Sequence, residues 1–385
     1  MTDVMIAGIG QTEVGEHWNR SLREMAFEAV ELAMQDAAGL QPQVLFVGNM
    51  LAPQLSRQAH VGALLADYCG LNGIEAITVE ASGASGGAAL RAGFMAVASG
   101  MLDVALVIGV EKLTDMIGSA VDSAQATSSD GDYEAVHGVT PTAQAALLMR
   151  RYLYEFDAPR SSFAGFALNA HANGAGNSKA MFRKAISLDA YNNAGTVCDP
   201  LNMFDVSPQA DGAAALLLAR SDRLPAGYSH PGVRIAASSL VTDTLALHDR
   251  PNPLNLTAAR ISIERACEKA KITPLQMDLF ELYDAYSIYS ALTLEAAGYA
   301  APGEGWKLAQ SDSIGLHGSV PISTFGGLKA RGNPGGATGV YQAVEAVIQL
   351  RGQAGKNQVP EARRAMIQSL GGPASTAVTH ILEAV

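Results

Sequence analysis

Between Val79 and Gly100 the chain reads VEASGASGGAALRAGFMAVASG: a β-type run, a turn of small residues at Gly83, and a helical pattern with apolar Leu90, Phe94 and Val97. Such a strand–turn–helix junction gathers free backbone N–H groups and the positive end of a helix dipole at one point. The chemistry that suits this point is acyl transfer, because the dipole favours a thiolate and the oxyanion it makes. The turn offers Gly83 instead of a nucleophile, and its flanking Ser82 and Ser85 have no recognisable base beside them. A second turn, GNPGGATGVYQAVEAV from Gly332, shares three glycines and an alanine with GASGGA over six positions. Glycines at such turns (Gly83, Gly86, Gly332, Gly335, Gly336) keep backbone N–H groups free for a carbonyl oxygen or phosphate, and also permit close helix–sheet approach.

Composition narrows the partners. With 385 residues, 48% of them apolar and 39 of them glycine, the chain can bury more than one core and is not of disordered type. A net charge of −11 without a basic run excludes nucleic acid as an expected partner. Cys69, Cys198 and Cys267 are too few and too scattered for a disulfide framework or a zinc site, and each reads as a small structural residue. MTDVMIAGIG reads directly as a strand, and no apolar stretch reaches membrane-spanning length, so a cytoplasmic protein is expected.

The elements that must position the turns alternate. Val4 to Gly8 is a β-run, and Ser21 to Ala37 is a helix with Ser21 and Glu24 as a capping box. Val44 to Met50 is a strand, Arg57 to Cys69 a helix, and Asp103 to Gly109 a buried strand, which together predict a mostly parallel sheet with helices on its faces. From Thr114 to Asp205 polar residues and short helices dominate, as in an inserted cap, and sheet character returns at Gly212 to Ala219. After Pro231 the order repeats: VRIAASSLVTD answers VMIAGIGQTEV, Thr257 to Lys271 answers the first helix, and Met277 to Tyr286 answers VLFVGNM. Four matching elements in order point to internal duplication. The expected division is residues 1–113 with 206–225 as one half, 114–205 as the cap, and 226–385 as the other half.

Several runs carry a family resemblance: VEASGASGGAA, VIGVEKLTD, YEAVHG, DPLNMFDVSPQADGAAALLLA, ELYDAYS and GGLKARGNPGGATGVYQ. In this order, over nearly the whole chain, they resemble the thiolase superfamily, especially sterol carrier protein thiolases and archaeal acetyl-CoA acetyltransferases. The resemblance implies an α/β thiolase-like fold of two pseudo-symmetric halves (βαβαβαββ repeated) with an inserted cap. It also aligns the family's chemical positions with other residues here. Gly83 falls on the nucleophilic cysteine of V-E-x-x-C-A-S-G, Tyr283 on the histidine opening H-D-x-F, and Asn333 on the histidine of G-H-P. Ala343 and, more loosely, Ser369 fall on the two locations of the acid/base cysteine.

Glycine cannot form an acyl-enzyme, and Asn333 cannot accept a proton at neutral pH. What the resemblance implies is therefore a protein that handles acyl-CoA with no covalently bound cofactor and without Claisen chemistry. A phenol at Tyr283 can hold a thioester oxygen by hydrogen bonding and pass a proton. Acyl-CoA lyases of steroid side-chain breakdown resemble this pattern, with tyrosine in the same motif; their further tyrosine near the second glycine turn has no match from Gly332 to Gly336 here, where Tyr341 in the following helix is the nearest and Tyr286 and Tyr289 are the other possibilities. The plain alternative for Tyr283 is a packed aromatic at a strand end. Lys329 and Arg331 are either CoA-facing cations or solvated loop charges. Gly332, Gly336 and His137 belong to the same expected binding region, while Asn173 and His317 serve as polar loop residues. The alternative to a lyase or related transferase is a non-catalytic CoA-binding or scaffold subunit. A homodimer through Ile74 to Ala81 and a small zinc-ribbon/OB-fold partner are implied by the same resemblance.

Overall fold

The computed structural model describes residues 3–385. Its strands are β1 (Val4–Gln11), β2 (Val44–Gly48), β3 (Glu75–Val79), β4 (Val104–Glu111), β5 (Thr196–Cys198), β6 (Leu201–Asn202), β7 (Gly212–Arg220), β8 (Val233–Thr242), β9 (Leu279–Glu281), β10 (Arg364–Gly371) and β11 (Thr376–Ala384). Nine follow the order β3-β2-β4-β7-β1-β8-β11-β10-β9, and β5 pairs with β6 apart from them. Read outward from the β1–β8 join, β1, β7, β4, β2 and β3 are answered by β8, β11, β10, β9 and a bridge from Phe280 to Ile322. The join itself is one antiparallel pair, Met5 with Arg234. The fold is α/β and pseudo-symmetric, as the sequence predicts. The second copy of the outermost strand shrinks to a single bridge, where Pro321 has no N–H to give a ladder.

The expectation of a mostly parallel sheet fails. Only β2 with β3, β2 with β4, and β9 with β10 are parallel. β7 arrives after the excursion of residues 112–211 and not through a crossover helix, and β11 follows β10 in a hairpin; β7 and β11 each run against both of their neighbours.

Three local outcomes matter for the site. Helix Leu22–Asp36 carries the predicted capping box, with Ser21 N donating to the Glu24 carboxylate at 2.7 Å and Glu24 N to Ser21 Oγ at 3.4 Å. The helix expected from Arg57 begins only at Val61, because Arg57 (φ 50°) and His60 (φ 59°) are left-handed and break the ladder. The strand expected to reach Tyr286 stops at Glu281, so Tyr283 stands on the loop that leaves it.

Helices Ser85–Ala98 and Thr338–Leu350 pack against each other in the central layer, with Leu90, Val97, Val340, Val344 and Val347 fully buried there. Each such side chain contributes roughly 1.5–3 kcal/mol of burial. Their amino termini meet closely: a Cβ on Gly86 would stand 2.9 Å from the Gly336 carbonyl oxygen. Helix Leu22–Asp36 covers the outer face of one half and helix Thr257–Ala270 that of the other. The segment 114–205 contributes Tyr152 and Phe163 to the core that also holds Leu282 and Tyr283. Among the described residues no helix is long and apolar enough to cross a membrane.

Candidate functional site

The two turns open into one cleft. Residues Ser82–Ala84 form a single tight turn that runs into helix Ser85–Ala98, and Gly335–Ala337 does the same before Thr338–Leu350. Ser85 closes the first turn by donating to the Ser82 carbonyl at 2.6 Å and accepting from Ala81 N at 2.9 Å. Ser82 is left-handed at φ 54°, and its hydroxyl accepts from Gly372 N at 3.1 Å. That conformation costs about 1–2 kcal/mol, which the surrounding bonds must hold.

Glu111, at the end of β4, ties the turns together. Its buried carboxylate accepts from Met50 N (2.9 Å), Leu51 N (3.0 Å), Gly336 N (3.0 Å) and Asn49 Nδ2 (2.9 Å). Burial pushes this carboxyl up to about 7, against the pull of those donors. All four partners are donors, so an amide in its place must set N–H against N–H. Glu111→Gln is therefore expected to lower stability by about 2 kcal/mol; an unchanged denaturation midpoint would contradict the clamp.

Gly83, Tyr283 and Asn333 lie together on this cleft, a space of about 80 Å³ that Ser82, Ser207, Tyr286, Tyr289 and Gly335 also line. Tyr283 is 8% exposed. A Cβ built on Gly83 would overlap the Tyr283 phenol oxygen and stand 3.0 Å from its Cζ and 2.7 Å from the Leu370 carbonyl oxygen. The phenol thus occupies the volume into which a side chain at residue 83 would project. Burial raises the Tyr283 hydroxyl well above the ordinary phenol range, with Tyr286 and Asp284 adding, while the adjacent Asn333 side chain acts in the opposite sense. Asn333 is fixed at both ends of its amide: Nδ2 donates to Ser207 Oγ at 3.1 Å, and Oδ1 accepts from Gly335 N at 3.1 Å. Tyr286 shares a 3.0 Å hydrogen bond with Thr142 at the start of helix Pro141–Phe156. Asp284, next to Tyr283, turns away and accepts from Leu328 N at 2.7 Å, fixing the loop before the second turn.

A larger cavity of about 850 Å³ adjoins the cleft and shares Val206 and Ser207 with it. His171, Phe182, Arg183, Lys184, Phe204 and Lys329 also line it. The His171 ring stacks on Phe182 at 5.8 Å and meets Phe204 edge-on at 5.5 Å; burial lowers its pKa. Lys329 donates to the Asp205 carbonyl at 2.7 Å, and burial lowers its amine to about 8. A cavity of this size with Arg183, Lys184 and Lys329 on its lining, adjoining a narrow polar cleft, has the room and charge for a flexible anionic carrier beside Tyr283.

Other sequence candidates lie elsewhere. Arg331 is 1% exposed, pairs with Glu345 at 2.7 Å and lies over the Tyr341 ring, so it faces neither cavity. Gly332 turns at φ 111° against Val14, and Gly336 gives its N–H to Glu111. His137 is exposed on a short turn of the cap and lines neither cavity. Tyr341 is buried beneath Gly212 and bonded to Thr12 at 2.9 Å. Ala343 is inside the central helix layer, and Ser369 donates to Gln342 at 2.8 Å. Asn173 binds the Ser323 carbonyl at 3.1 Å as a structural group. The lining of the cleft has no cysteine; burial raises Cys69 and Cys267 to about 11, and Cys198 is on β5. Ser207, His171 and Glu111 were not singled out by sequence, although Ser207 and Glu111 fall inside runs that carry the resemblance.

Two family models cover nearly the whole chain: "Thiolase, N-terminal domain" over residues 4–222 and "Thiolase C-terminal domain-like" over 239–384. An acetyl-CoA acetyltransferase of Methanothermobacter thermautotrophicus is 40% identical over 383 residues, covering 99% of each chain. The benzoylsuccinyl-CoA thiolase subunit BbsB of Thauera aromatica is 31% identical, covering 96% of this chain and 94% of its own. Among solved structures, the Ltp2-ChsH2(DUF35) aldolase superposes with a TM-score of 0.85 at 23% identity, over 99% of this chain and 98% of that one.

Proposed function

We propose a carbon–carbon lyase of the retro-aldol type for this chain, which belongs to the thiolase family. The reading is that it works on acyl-CoA thioesters without a covalent acyl-enzyme. The observation that carries it is the exchange of volumes at the first turn, where the Tyr283 phenol stands in the space a side chain at residue 83 would need. Acyl transfer through an acyl-enzyme would require a nucleophile there, and glycine supplies none.

In this account the CoA arm lies along the larger cavity, past Lys329 and His171, and passes Ser207 into the cleft. The β-hydroxyl of a β-hydroxyacyl thioester gives its proton to water at the open end of the cleft. The Cα–Cβ bond then breaks, a carbonyl forms at Cβ, and the electron pair moves through Cα to the thioester oxygen. Tyr283 and Asn333 hold that enolate oxygen as donors, and Cα finally takes back from the water the proton that the β-hydroxyl gave up. A raised phenol pKa suits this task, since the group stays protonated and donates. The solved neighbour named an aldolase is similar at the level of fold.

The second reading, a CoA-binding or scaffold subunit, is favoured by one observation: the cleft lining holds no histidine or carboxylate that could act as base. Both readings predict no self-acylation, and all but a pure scaffold predict CoA binding. Calorimetry is expected to show saturable binding of CoA, and intact mass after incubation with acetyl-CoA should be unchanged. A mass gain of one acetyl group would contradict both.

Assembly is part of the proposal. β3 is an edge strand with Ile77 51% exposed, an open ladder that a second copy can pair. Light scattering is expected to give a dimer mass at micromolar concentration, and a monomer would count against it. The rim of the larger cavity exposes Met203 (60%), Val197 (52%) and Phe182 (41%), apolar surface that a small zinc-ribbon/OB-fold partner would cover while closing over the CoA.

A further inference from the structure

Helix Ser287–Ala296 starts at the cleft and brings a third tyrosine to it. Tyr283, Tyr286 and Tyr289 recur every three residues, from the loop after β9 into the first helical turn, and all three line the cleft. Their hydroxyls differ in what they bond. Tyr286 shares its hydrogen bond with Thr142, and its ring meets that of Tyr289 edge-on at 5.6 Å. Tyr289 is 2% exposed, and among the described residues its hydroxyl has no hydrogen-bond partner, yet the oxygen is not sealed from the cleft. Burial pushes that phenol up, with Tyr286 adding, so it stays protonated and can donate.

Much of the remaining polar lining is already engaged. Ser128 donates to the Gln125 carbonyl at 2.7 Å, and Gln209 donates to Gln125 Oε1 at 3.1 Å. Asn333 is held between Ser207 and Gly335. A nearly buried donor without a partner costs stability, which an acceptor on a ligand restores. Tyr289 lines the cleft and not the larger cavity, so it stands past Val206 and Ser207, which the two spaces share. On the path proposed for the thioester this is the acyl side. At about 10–15 Å³ per water-sized group, a cleft of about 80 Å³ has room for a four-carbon acyl group.

We infer that the Tyr289 hydroxyl is a specificity-determining donor that selects acyl thioesters carrying an oxygen on Cβ. The inference rests on the reading that acyl-CoA enters the cleft, and not on cleavage. In that reading Tyr283 and Asn333 hold the thioester oxygen, which leaves the β-oxygen without a donor, and Tyr289 supplies one. During the retro-aldol step the same donor holds the β-oxygen as it becomes a carbonyl.

The test compares acetoacetyl-CoA with butyryl-CoA by calorimetry on the full chain, with no free CoA added. The pair differs by one oxygen at Cβ, and neither has the β-hydroxyl that retro-aldol cleavage needs, so the readout is binding alone. Acetoacetyl-CoA is expected to bind about ten-fold more tightly, the weight of one satisfied buried donor. Tyr289→Phe keeps the ring and should erase that preference while butyryl-CoA still binds, a result that a packing role for the ring would not produce. Equal binding of the two thioesters by the unmodified chain overturns the inference, and so does a preference that survives Tyr289→Phe. A chain that binds neither thioester overturns it together with the placement of CoA. The expected preference in a chain that cleaves no β-hydroxyacyl-CoA would remove the lyase reading and leave this inference standing.

Discussion

Tyr283→Phe is expected to lower turnover of a β-hydroxyacyl-CoA by roughly 10²–10⁴-fold, the range a positioned acid or oxyanion donor supplies. CoA affinity should stay within a factor of two or three, because the path proposed for the CoA arm runs along the adjoining cavity, whose lining does not include Tyr283. The substitution removes one oxygen and keeps the ring that packs with Leu282 and Phe280, so the fold should survive. Steady-state kinetics and calorimetry on the same preparation separate the two effects. A variant that loses CoA binding and stability together would show Tyr283 to be a packed aromatic and nothing more.

Gly83→Cys is expected to yield no thiolase. The new Cβ would overlap the Tyr283 oxygen and crowd the Leu370 carbonyl at 2.7 Å, a backbone atom that cannot rotate away. Overpacking of this kind costs typically 1–3 kcal/mol, so the melting transition should fall. Displacing the phenol by about 1 Å would cut lyase turnover on the order of 10²-fold. Thiolytic cleavage of acetoacetyl-CoA should remain at background, because Asn333 cannot take the thiol proton and Ala343 has nothing to shuttle it. Groups that act as a unit are non-additive, and one restored member recovers little. Thiolase activity in this single variant would show that the Tyr283 and Asn333 positions are not the obstacle.

The framework was legible because its signals are local. Glycine turns before apolar helices, strand–helix alternation and a repeated order do not depend on distant contacts. Alternation is only half the information on strand direction: β7 enters after the excursion of residues 112–211 and β11 from a hairpin, so both reverse. The cleft was legible through the family resemblance alone, since nothing local distinguishes Tyr283 from any aromatic after a strand.

Lys329 and Arg331 show where sequence runs out. Two residues apart in one loop, they look alike as charges, yet the backbone sends one to the Asp205 carbonyl and the other to Glu345. Ser207 stands between two cavities only because the chain crosses there, and Glu111 gains its role only when four N–H groups from two segments, 49–51 and Gly336, converge on it. Such positions are set by tertiary placement, which one sequence does not display.

The most direct measurement is a product assay of the purified protein, with any co-encoded small partner, on a panel of β-hydroxyacyl-CoAs and on acetoacetyl-CoA with free CoA. The account predicts a released ketone or aldehyde together with the shortened acyl-CoA from the first set, and no thiolytic products from the second. Robust thiolysis of acetoacetyl-CoA by the unmodified chain would contradict it.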